Sequence, residues 1–105
     1  MKLIEKISEM IEEELEGACD YAKAAVKYKD DNPALAKTFY DIATQELSHV
    51  NLLHDQVVKL IEEHRRTVGE PPAAMQAVYD YLHEKQIERA NKVKSYLSTY
   101  RGSQM

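Results

Sequence analysis

Thr38–Leu53, TFYDIATQELSHVNLL, sets a glutamate and a histidine one turn apart inside a helical stripe of apolar residues. At about 100° per residue, Phe39, Ile42, Glu46, His49, Val50, Leu53, Val57 and Leu60 share one face. Glu46 falls near its centre. Side chains at i and i+3 project together from neighbouring turns, so Glu46 and His49 are expected to point into whatever this face packs against. A carboxylate removed from water must be protonated, hydrogen-bonded or paired with a cation.

Working back from this stretch, Asp30, Asp31, Asn32 and Pro33 punctuate the chain, with Asn32 as N-cap and Pro33 at the first helical position. Before them, Ile4, Ile7, Ile11, Glu14, Ala18, Tyr21, Ala25 and Tyr28 keep a 3-4 spacing that predicts a first helix over about residues 3–28. Glu14 occupies a seam position, whereas Glu12, Glu13 and Glu16 read as a solvated face. Gly17 costs about 1 kcal/mol relative to alanine within a helix. It is either a tolerated glycine or a place where another helix comes close.

Working forward, the second helix spans about residues 33–66 and closes with Arg65, Arg66 and Gly69. Glu70, Pro71 and Pro72 make the next break, and a third helix covers about residues 73–100. Its stripe is Met75, Val78, Tyr79, Leu82, Gln86, Ala90, Val93, Leu97 and Tyr100, with Gln86 the one central polar residue; Glu84 and Glu88 face away. The tail Arg101–Met105 is expected to fray. His54 and His83 sit at stripe edges, and His64 lies about 27 Å along the helix from Glu46.

Composition narrows the class. The 105 residues, 44% hydrophobic and 30% charged with three glycines and three prolines, suit one all-α domain over residues 1–105. The short break at Asn32 makes the first two helices an antiparallel hairpin. A net charge of −4 with scattered basic residues argues against nucleic acid. No membrane span or signal peptide is evident, and the single Cys19 suits a reducing, cytoplasmic setting. About 140° from its stripe centre, Cys19 reads as a packing or surface thiol.

Glu14 lies 18 residues before Asn32, while Glu46 and His49 lie 14 and 17 after it. With about 1.5 Å of rise per residue, an antiparallel hairpin brings all three within roughly 6 Å along its axis. Two carboxylates and an imidazole balance one divalent ion but do not complete the coordination of iron or manganese. Two hairpins around a twofold axis would double the set and complete a four-helix bundle.

The pattern Glu14 to Tyr21 on a first helix and Glu46-x-x-His49 on a second resembles the ferritin-like di-iron superfamily. It is most similar to the encapsulated ferritins, whose half-bundle subunits pair to complete the centre. The resemblance covers roughly residues 12–66. It implies that Glu14, Glu46 and His49 are metal ligands, with Glu46 bridging, and that Tyr21 orients a carboxylate. It further implies a homodimer or higher homo-oligomer, iron as the metal, with manganese or another divalent ion as alternatives, and ferroxidase chemistry. Four-helix members of the superfamily carry a second Glu-x-x-His in the same chain, which this sequence lacks. The tail RGSQM shows no targeting peptide for an encapsulin shell. Two other classes compete: a metal-free helical homodimer or assembly module, and a di-metal peroxide-reducing protein, which would lack rubredoxin-type cysteines as an electron supply.

Overall fold

The computed structural model describes residues 2–102. Three helices, α1 Lys2–Tyr28, α2 Pro33–Thr67 and α3 Ala73–Gly102, account for nearly all of them, and among the described residues no strand forms. None of these helices is long and apolar enough to cross a membrane. The molecule is a rod of 55 × 21 × 18 Å.

Local chemistry sets the helix ends where punctuation suggested. The Asn32 side chain accepts a hydrogen bond from the Leu35 backbone N–H at 3.2 Å, and Pro33 opens the first turn of α2. At the other end the N–H groups of Val68 and Gly69 both return to the His64 carbonyl, and Gly69 takes φ +113°, a conformation that suits a residue without Cβ. The expected fraying concerns residues 101–105: Arg101 and Gly102 continue α3, and residues 103–105 lie outside the described part.

α1 and α2 form an antiparallel hairpin with the most extensive contact in the molecule; α3 runs along α1 and meets α2 only sparsely. The hairpin seam is built from a heptad of fully buried positions on α1, Ile4, Ile11, Ala18 and Ala25, facing Ala36, Ala43 and Val50 on α2. Leu15 and Ala22, on the α3 side of α1, are buried as well. Alanines at the closest points let the backbones approach, and the larger side chains stand to either side.

On the α3 side, Val93 and Leu97 pack with Ala18, Ala22 and Ala43, and Tyr40 and Leu47 border them. At the bundle end near the α1–α2 turn, Tyr100 stacks on Tyr40 with centroids 4.8 Å apart, Arg101 donates to the Tyr40 hydroxyl at 2.8 Å, and Lys29 donates to the Tyr100 carbonyl. The opposite end is looser. Ile4, Ser8, His54, Val57, Tyr79 and Gln86 line an apolar cavity of about 170 Å³. Buried Gln86 satisfies itself there by donating to Ser8 Oγ at 2.8 Å.

The other side of the hairpin carries no third helix. Ile7, Glu14, Tyr21 and Tyr28 from α1 and Phe39, Ile42, Glu46, His49, Leu53 and Leu60 from α2 lie half-buried or exposed along it. The fully buried line of α2 is thus rotated away from the stripe expected from the sequence. Glu46 flanks the seam instead of occupying its centre.

Candidate metal centre

The three expected ligands do meet at one level of the rod. His49 Nδ1 lies 3.5 Å from Glu14 Oε2, across the groove between α2 and α1. Their side chains are 55% and 33% exposed, so the inward orientation expected of all three fails for His49, which faces solvent on the open side. A surface pair of this kind contributes at most about 1 kcal/mol to stability.

Glu46 is half-buried, with one carboxylate oxygen fully shielded. That oxygen, Oε2, has no hydrogen-bond partner. The carboxylate rests against the bare α-carbon of Gly17: a Cβ there would overlap Oε2 and stand 3.2 Å from Cδ and Oε1. The close approach at Gly17 is therefore made by a side chain of α2. Burial pushes the Glu46 carboxyl above the ordinary carboxylate range; the charge of Glu14 pushes it the same way, His49 pulls it down, and Asp20 raises it further.

Tyr21, two turns beyond Glu14, is half-buried, and its ring tilts against Phe39 with centroids 5.9 Å apart. Cys19 packs at the edge of the alanine-rich core, and it is a free thiol. Among the described residues, no three His, Cys, Asp or Glu side chains converge within the single chain as a ligand set for a metal ion. The constellation is a pair, Glu14 with His49, and beside it a buried carboxylate oxygen with nothing bound to it.

This donor set fits a hard or borderline divalent ion. Oxygen and imidazole nitrogen suit iron and manganese, the shielded Oε2 of Glu46 has no hydrogen-bond partner and so is open to a cation, and Gly17 leaves the space the carboxylate occupies. The apolar cavity plays no part, because it opens on the α3 side of the hairpin. His54 and His83, expected at stripe edges, meet each other at that cavity. Their signal was register: Tyr40, Leu47, His54 and Ile61 repeat every seven residues along the α3-facing line.

No family model, no curated protein and no solved structure matches this chain.

Proposed function

We propose that two copies of this chain pair across the open face of the hairpin and that Glu14, Glu46 and His49 of each hold a di-iron centre of ferroxidase type. The observation that carries this reading is the partnerless, buried Oε2 of Glu46, cradled by Gly17 within the field of Glu14. An unpartnered carboxylate oxygen held away from water is costly unless it is protonated or offset by a cation, and the proposed metal pair supplies that offset. The second copy supplies what one chain lacks: four carboxylates in all neutralise two divalent ions, and the half-buried apolar residues around them gain cover.

When bound, a pair of Fe²⁺ ions supplies one electron each, enough to reduce O₂ to hydrogen peroxide or hydrogen peroxide to water. The chain's own residues set the conditions. Glu46 sits deepest and fixes the position of the centre through its packing on Gly17. Glu14 and His49, already opposed at 3.5 Å, give up their mutual pairing to serve as donors. By the resemblance, Tyr21, two turns beyond Glu14 on α1, would orient one of these carboxylates. Iron is the reading the resemblance favours, and the same donors accept manganese.

The test is metal analysis of chelator-treated protein reloaded with Fe²⁺ under anaerobic conditions, followed by oxygen uptake. About one iron per chain is expected, with loading and oxygen uptake both lost in Glu46→Ala. Equal iron in the wild type and Glu46→Ala overturns the reading. A metal-free helical homodimer is the second reading, favoured by the Glu14–His49 contact, which pairs an imidazole with a carboxylate without metal. It predicts a dimer whose melting temperature ignores added iron.

A further inference from the structure

The second place where donor atoms converge lies on the other side of the hairpin. His54 of α2 and His83 of α3 bring their Nε2 atoms to 3.2 Å. Their ring centroids are 5.0 Å apart and the planes differ by 20°. The nitrogens are thus closer than the ring centres, so the two near-parallel imidazoles approach each other through their Nε2 edges.

One proton can bridge such a pair, with one Nε2 donating and the other accepting. The same separation serves a metal ion. With metal–nitrogen bonds of about 2.0–2.1 Å, two imidazoles on a tetrahedral ion hold their nitrogens about 3.3 Å apart.

We propose that His54 and His83 form a two-imidazole site for a borderline divalent ion of the zinc, nickel or copper(II) class, which clamps α3 to α2. Neutral imidazole is a preferred ligand for these ions. Among the described residues, no third His, Cys, Asp or Glu completes a ligand set around the pair, so water fills the remaining positions and the ion exchanges freely. His54 lies eight residues beyond Glu46, about 12 Å along α2, and on the opposite flank of the hairpin, so the two sites share no ligand.

The location gives the clamp leverage. α2 and α3 touch sparsely, and the surrounding half of α3 is loosely seated, with Met75, Val78 and Ile87 exposed. Glu5 and Asp80 line the same cavity and add negative charge that favours a cation. Tyr79 lines it too, its phenol pushed above the usual range by burial and by Glu5.

The experiment uses zinc chloride and chelator-treated full-length protein carrying Glu46→Gln and His49→Gln, so that the proposed iron centre is disabled and the two sites report separately. Zinc is expected to raise the thermal midpoint by several degrees through mass action, and the rise is expected to vanish when His83→Gln or His54→Gln is added. Copper(II) electron paramagnetic resonance should show two nitrogen ligands, falling to one with His83→Gln. A midpoint indifferent to zinc, or a rise that survives both substitutions, overturns the proposal.

Discussion

Glu46 has its stability contribution set by an environment that disfavours its charge. Its folded pKa is raised, mainly by burial and then by Glu14, so the group binds its proton more tightly in the folded state. Its contribution is fully present below the unfolded carboxylate value and is lost as pH rises through the folded one. Metal-free protein should therefore lose stability from this group as pH climbs out of the carboxylate range. Glu46→Leu, which removes the orphaned oxygen, should raise the unfolding free energy at pH 7 by about 1 kcal/mol and flatten that dependence. Urea unfolding in chelator at a series of pH values measures both effects. Gly17→Ala separates folding from site geometry. The new methyl would collide with Glu46 Oε2, the end of a flexible side chain that can swing aside, while the helix gains about 1 kcal/mol of propensity. Melting of the metal-free variant should stay level or rise, and iron loading should fall sharply.

At the level of helices, much was legible from the chain. Asn32–Pro33 and Gly69–Pro72 mark the breaks because capping and proline chemistry are local, and the observed ends differ from those expected by no more than two residues. The buried face of α2 was not legible. A stripe chosen by its large apolar residues pointed to Phe39, Ile42 and Leu53, whereas the seam is closed by Ala36 and Ala43 against Ala18 and Ala25. Small residues mark the closest approach of two helices, and a hydrophobicity pattern gives them little weight. The level shared by Glu14, Glu46 and His49 was readable, since it follows from rise per residue. The exposure of His49 was not, because it depends on that rotation. α3 divides in two: Val93 and Leu97 are buried, and Val78 is exposed. Leu97→Ala should cost about 3 kcal/mol and Val78→Ala no more than about 0.5 kcal/mol in denaturant unfolding.

On the scale of the whole molecule, the hairpin has one covered flank and one open one. The open flank carries Ile42, half-buried and outside all three buried clusters, beside the proposed centre. Ile42→Lys should leave helicity nearly unchanged while converting the proposed dimer to monomer in analytical ultracentrifugation, and iron loading should fall with it. The rod form, 55 Å long against 21 and 18 Å across, gives that measurement a second readout. Side-by-side pairing thickens the particle without lengthening it, so the frictional ratio should drop as mass doubles, whereas end-to-end association would drive it upward. Sedimentation velocity can thus tell which surface joins the copies without resolving a single atom.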